Sequence, residues 1–174
     1  GLNVGIFEIQ KMLQWGTPSD LEIYNSWSKY FNNLTISQKK VVNPKNTTLV
    51  LPMAGKGSRF EEEGYLLPKP MLTINDKPMI IQAVDCLPQS DNNIFICLGE
   101  HIQDFKIDEK LKKTYKNCSV ISLDRTTEGQ ACTCKVGVEE CDVDLESPIL
   151  ISACDNGVYY DSEKYLKLLN DKSI

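Results

Sequence analysis

From Thr48 to Leu169 short apolar runs alternate with helix-length stretches, and this alternation narrows the folds open to the chain more than any other feature. Strands are expected at 48–52, 71–74, 93–98, 118–123 and 148–154, and helices at 78–87, 104–115, 130–140 and 161–169. Pro78 suits the start of the first helix, and Asp161 or Ser162 the cap of the last. Short β-branched runs separated by helices mean βαβ units, hence an α/β fold with a mostly parallel sheet covered on both faces. In such sheets ligands sit beyond the carboxyl ends of the strands. The loop at Gly55 and the carboxylate of Asp155 both follow expected strands, so they should meet at one sheet edge.

The loop is Gly55-Lys56-Gly57-Ser58-Arg59. A strand feeding a glycine-rich cationic loop brings backbone N–H groups close to phosphate, and lysine or arginine adds charge. It lacks the dinucleotide fingerprint, because residue 60 is Phe. It is no Walker A loop either, because Val50 stands where that motif needs glycine. Ten residues on, Lys69 lies between Pro68 and Pro70, which fix the backbone on both sides and present the ammonium at little ordering cost. The plainer alternative is an ordinary loop ended by prolines. Asp155 is either an Asx-type turn former or a ligand for a hard cation. Glu128-Gly129-Gln130-Ala131 is either a first helical turn or a place where a flat base or ribose reaches the backbone. His101 is either a surface-loop residue or part of a pocket wall, and Glu61-Glu62-Glu63 is a solvated acidic run.

The N-terminal part differs. Val4 to Leu13 reads as a short extended or mixed apolar segment and Gly16 to Asp20 as a turn. Leu21, Tyr24, Trp27 and Tyr30 then recur at spacing three, with Pro18 in the first helical position and Thr17 as the N-cap. Asn32 to Thr47 is polar and reads as a linker.

A length of 174 residues suffices for one domain, or one domain plus an appendage. The formal net charge of -5 argues against a nucleic-acid or anionic-membrane surface. No apolar run approaches the roughly 18–20 residues that span a bilayer. The seven cysteines are odd in number, form no C-x-x-C, and fall mostly in apolar runs. They read as buried, reduced thiols of a cytoplasmic protein. With His101 the only histidine, a zinc cluster at Cys132 and Cys134 is disfavoured.

Together these residues resemble the sugar-phosphate nucleotidyltransferase family, the pyrophosphorylases that make nucleotide-sugars. The matching segments are Leu51-Pro-Met-Ala-Gly55-Lys-Gly57-Ser-Arg59, Pro68-Lys69-Pro70 and Asp76-Lys77-Pro78-Met79-Ile80. Thr127-Glu-Gly-Gln-Ala131 is similar to that family's base-and-ribose loop, and Leu150-Ile-Ser-Ala-Cys-Asp155 to its magnesium-aspartate strand. The resemblance covers roughly 48–169 and implies a Rossmann-like three-layer α/β/α domain, present here as the nucleotide-binding half (48–174). Gln14-Trp15-Gly16-Thr17-Pro18-Ser19-Asp20-Leu21 resembles the family's closing motif, which normally follows the rest of the domain. Residues 1–34 are therefore expected to be the tail of an upstream domain of the same kind, with 35–47 a linker. The closing motif's first position is a metal-binding Asp, and here it is Gln14.

The resemblance implies a Mg²⁺-dependent transfer of a nucleoside monophosphate from an NTP, CTP or UTP favoured, to a sugar-1-phosphate or other phosphorylated acceptor, with release of pyrophosphate. Surface-polysaccharide synthesis is the implied setting, and a homo-oligomer is compatible with it. The implied roles are Arg59 on the leaving phosphates, Lys69 on the α-phosphate and acceptor, and Asp155 on Mg²⁺. Met53, Ala54, Gly55, Lys56, Gly57, Ser58, Glu128 and Gly129 are implied as nucleotide-binding. Two other readings stand beside it: a non-catalytic nucleotide-binding or regulatory domain, and a glycosyltransferase using Asp142-Val143-Asp144.

Overall fold

The structure is a computed structural model that describes residues 8–32, 46–160 and 162–171. The expected linker and the position of Asp161 lie outside the described residues, apart from the linker's two ends. Strand β1 (Lys11–Gln14) and helix α1 (Pro18–Asn32) come first, followed by β2 (Thr48–Met53) and α2 (Ser58–Glu62). A 3₁₀ turn (Lys69–Met71) leads into β3 (Thr73–Ile74), β4 (Lys77–Pro78) and α3 (Met79–Asp85). Next are β5 (Asn92–Leu98), α4 (Gly99–Phe105), α5 (Ile107–Thr114), β6 (Cys118–Leu123) and α6 (Gln130–Glu140). β7 (Ile149–Ile151), β8 (Asn156–Tyr159) and α7 (Ser162–Leu169) complete the order.

The main sheet runs β6-β5-β2-β7 with every neighbour parallel. β2 is buried along its whole length, as a central strand covered on both faces must be. Side chains alternate across it. Leu49, Leu51 and Met53 join Ile80, Phe95, Ile107 and Leu111 in one core layer. Val50 and Ala54 join Ile94, Ile96, Leu98 and Cys134 on the other face, under α6. The result is the Rossmann-like α/β/α arrangement. α6 lies very close to the sheet: a Cβ on Gly137 would fall 2.8 Å from Ile96 Cδ1 and Cγ1. Only glycine permits that approach without displacing Ile96.

Several expectations change. Residues 71–74 add no strand to the main sheet, because the 3₁₀ turn occupies their start and β3 pairs only with β4. The two residues between them, Asn75 and Asp76, both adopt positive φ, at 50° and 62°, as a tight hairpin turn requires. The helix expected at 104–115 is two helices, broken where Lys106 takes φ 53°. That break turns α5 so that Ile107 and Leu111 reach the core. β7 ends at Ile151, so Asp155 belongs to the turn before β8 rather than to a strand tip. Asn156-Gly157 opens a strand instead of a turn. All seven cysteines are free, but only Cys97, Cys134 and Cys154 are buried; Cys86, Cys118 and Cys141 are half-buried and Cys132 is exposed.

The N-terminal segment packs on the main body. β1 runs antiparallel to β8, with Gln14 opposite Asn156 and Leu13 opposite Gly157. Thr17 caps α1 by accepting the Asp20 N–H at 3.2 Å. Trp15 is fully buried with Leu21, Phe60, Leu72, Ile74, Met79 and Ala83. Tyr24 meets the Trp15 ring edge-on at 4.8 Å. Ser28 donates to Asn75 Oδ1 at 2.6 Å, tying α1 to the β3–β4 turn. The amphipathic stripe is shorter than its spacing suggests, since Trp27 is 57% exposed.

His101 lies on a helix rather than in a surface loop, and is not among the residues lining the cleft at the end of β2. It is buried on α4, and its Nδ1 has no hydrogen-bond partner among the described residues. Burial pushes its pKa below the ordinary histidine value, against the opposing pull of Glu100 and Asp104. The unfolded chain therefore takes up a proton at higher pH than the folded one. The stability this neutral imidazole contributes is complete above about pH 6.5 and is lost as pH falls through the folded pKa. A denaturation midpoint that declines below about pH 6.5, with the decline reduced in His101→Gln, is the expected result.

Candidate active site

The carboxyl end of β2 delivers Met53 and Ala54, both buried, to the floor of an open cleft of about 250 Å³. Gly55 follows on the cleft wall, and a Cβ there would meet nothing within 4 Å. Gly57 precedes α2 with φ 70°, and its carbonyl accepts the Phe60 N–H at 2.9 Å. A Cβ on Gly57 would lie 3.1 Å from Lys69 Cβ, so this loop and Lys69 are packed together. Glycine is required here on two counts, the left-handed backbone and the close approach.

Lys69 is held as the sequence suggests. Pro68 and Pro70 are buried, Met71 N–H donates to the Pro68 carbonyl at 2.8 Å, and Leu72 N–H donates to that of Lys69 at 3.2 Å. The Lys69 ammonium forms an ion pair with Asp155 Oδ2, each side chain being 20% exposed. A cation from the 3₁₀ turn after α2 and a carboxylate from the turn before β8 thus meet in the cleft. The third wall is the start of α6. There Thr127 Oγ donates to the Gly129 carbonyl at 2.9 Å and lies 2.7 Å from Thr133 Oγ, while Thr133 N–H donates to the same carbonyl at 3.1 Å. These bonds fix Gly129, and a Cβ there too would meet open space.

The structure therefore brings Met53, Ala54, Gly55, Gly57, Lys69, Gly129 and Asp155 to one cleft. Lys56, Ser58, Arg59 and Glu128 are exposed beside it and do not line it. Asp142 and Asp144 are exposed and away from the cleft, and Asp144 accepts from Ser147 Oγ at 2.7 Å and from the Glu146 N–H at 3.0 Å. Thr126, Thr133 and Cys154 line the cleft unannounced by motif. The six-residue spacing from Thr127 to Thr133, one loop turn plus one helical turn, was the available signal. Burial pushes the Cys154 thiol up to about 12, Asp155 adding and Lys69 opposing. It is thus neither a nucleophile nor a metal ligand near neutral pH.

Gln14 also reaches this corner. A Cβ on Gly16 would stand 3.5 Å from Gln14 Nε2 and 3.6 Å from Asp155 Oδ2. No group of three or more His, Cys, Asp or Glu side chains among the described residues could hold a metal ion. A lone carboxylate fits instead a hard cation that takes its other ligands from phosphate oxygens and water.

The mostly parallel four-stranded sheet flanked by helices is consistent with a Rossmann-like nucleotidyltransferase fold. Among solved structures the chain is similar to a nucleoside-diphosphate-sugar pyrophosphorylase from Vibrio cholerae RC9, at 25% identity and TM-score 0.50, over 61% of this chain and 46% of that one. It also aligns with UTP-bound UGPase from Acinetobacter baumannii at 21% identity and TM-score 0.39, over 55% of this chain and 41% of that one. The chain thus spans under half the length of either. No family model matches it, and no curated protein does. Among the described residues no helix is long and apolar enough to cross a membrane.

Proposed function

We propose that the cleft binds a nucleoside triphosphate and supports transfer of its nucleoside monophosphate to a phosphorylated acceptor, with pyrophosphate leaving. The observation that carries this reading is the facing of Lys69 and Asp155 across the Gly55–Gly57 loop. The likeness to a nucleoside-diphosphate-sugar pyrophosphorylase supports it and favours a sugar-1-phosphate as acceptor. CTP or UTP is the favoured donor. Surface-polysaccharide synthesis in the cytoplasm is the proposed setting.

The acceptor is already an anion, so no general base is needed and the protein's contribution is positioning and charge neutralisation. Gly55 and Gly57 let the triphosphate approach the backbone. Lys69 leaves Asp155 and turns to the α-phosphate and the incoming phosphate oxygen. Arg59, exposed on α2 beside the loop, meets the departing phosphates. Asp155, released from Lys69, would hold Mg²⁺ carried in by the nucleotide. That ion would supply charge neutralisation to the phosphates at this position. Gly129 presents backbone to the ribose and base.

Pyrophosphate release from CTP, UTP, dTTP, ATP and GTP, each with Mg²⁺ and a panel of phosphorylated sugars, tests this directly. Silence across the whole panel, with nucleotide binding intact, favours the second reading, a binding or regulatory domain. Gln14 beside Asp155 motivates that reading, since it leaves one carboxylate where two would grip a cation better. A sharper test uses Gly129→Ala. The added methyl meets nothing in the free protein and the backbone there is ordinary extended chain, φ 163°, so stability should be unchanged. Nucleotide affinity should fall by on the order of tenfold, because the methyl occupies space assigned to the ligand. Unchanged affinity for CTP and UTP removes Gly129 from the site.

A further inference from the structure

Lys69 and Asp155 of the cleft, and Arg59 beside it, are each tied to a single apolar cluster. Phe60 follows Arg59 and is buried, Leu72 closes the 3₁₀ turn of Lys69 and is buried, and both pack in the cluster built around Trp15. Trp15 reaches the third group through its backbone: its N–H donates to the Asp155 carbonyl at 2.9 Å. Its ring lies against Gly157, two residues on, where a Cβ would come within 2.7 Å of Cζ2 and 2.9 Å of Cη2. We propose that Trp15 is a positioning residue for the nucleotide site: the N-terminal strand and helix, through this one indole, set the distance between the Lys69 turn and the Asp155 turn.

On the β7 side the last main-sheet hydrogen bond found among the described residues is Ser152 N–H to the Val50 carbonyl at 3.2 Å, three residues before Asp155. Its continuation, β8, pairs only with β1 among the described strands. The Lys69 turn likewise belongs to no strand of the main sheet. Both halves of the ion pair therefore take much of their placement from packing, to which Trp15 contributes on both sides together with α3, which contacts the Lys69 turn and β8. The inference rests on the nucleotide reading of the cleft.

The test compares Trp15→Phe, Trp15→Ala and Leu111→Ala, the last on α5, in a core cluster separate from that of Trp15 and not itself lining the cleft. Affinity for CTP and UTP with Mg²⁺ is measured by calorimetry at a temperature where each variant is folded. Trp15→Ala should lose on the order of tenfold or more in affinity, as expected when charged groups shift by about an ångström. Trp15→Phe should recover most of it, and Leu111→Ala should bind as the parent does despite its lower stability. Because coupling is reciprocal, saturation with CTP or UTP should also slow hydrogen exchange at the Trp15 amide more than at α5 amides. This readout needs no variant and serves if Trp15→Ala does not fold. Equal loss of affinity in Leu111→Ala, or no selective protection of Trp15, overturns the positioning role. A parent protein that binds neither nucleotide overturns the functional reading itself.

Discussion

Lys69→Ala is expected to lower nucleotidyl transfer by on the order of 10²–10³-fold, equivalent to about 3–4 kcal/mol of transition-state stabilisation, by analogy with removal of one oxyanion donor. The size follows from how the lysine is held. Its backbone lies between two buried prolines in a 3₁₀ turn, so little ordering remains when substrate arrives. Its ammonium already faces the carboxylate that would take the cation. Removing it leaves Asp155 partly exposed to water, so the fold should survive and the thermal midpoint should move little. Lys69→Arg should rescue poorly, since a planar fork does not replace a compact point charge between two phosphates. Pyrophosphate release measured beside the melting curve separates the two effects. Full turnover in a folded Lys69→Ala protein would end the role assigned to this residue.

Gly157→Ala is expected to destabilise the protein by about 1–3 kcal/mol, the usual cost of forcing a methyl into a packed core. Here the obstacle is rigid. The methyl would come within 2.7 Å of Trp15 Cζ2, and within 3.3 Å of Leu13 Cβ. An indole ring that is 0% exposed has nowhere to swing. Trp15→Phe in the same chain should relieve part of the loss, because the smaller ring vacates the contested space. Denaturant midpoints of the parent, both single variants and the double variant form a cycle, and strict additivity would show that the two residues do not collide.

The main sheet was legible because β2 and β5 are buried apolar runs and the edge strand β6 mixes apolar and serine side chains between turn residues. The α6 boundaries at Gln130 and Glu140 were legible for the same local reason. β8 was not, because Asn156-Gly157 spells a turn wherever no partner strand is known, and its partner lies far away in β1. Lys106 gave no sign of its positive φ, since a lysine in that conformation is imposed by the packing of Ile107 on the core. At the site, Lys69 was visible through its flanking prolines. Arg59 shares the same motif yet stands outside the cleft, because α2 begins immediately after Gly57 and turns its side chain to solvent. Thr133 and Trp15 escaped notice because their roles depend on what they touch.

The pairing of β1 with β8 joins residues near the two ends of the described chain. Contacts so distant in sequence form slowly, since closure of the intervening chain must precede any return from them. The β2–β5–β6 ladder, made of nearer neighbours, can assemble without them. The order of assembly then follows from topology: the glycine loop takes shape first with its sheet, and the Asp155 corner locks last, when Trp15 arrives. During folding the glycine-loop half of the cleft is thus expected to form before the Asp155 turn that completes it.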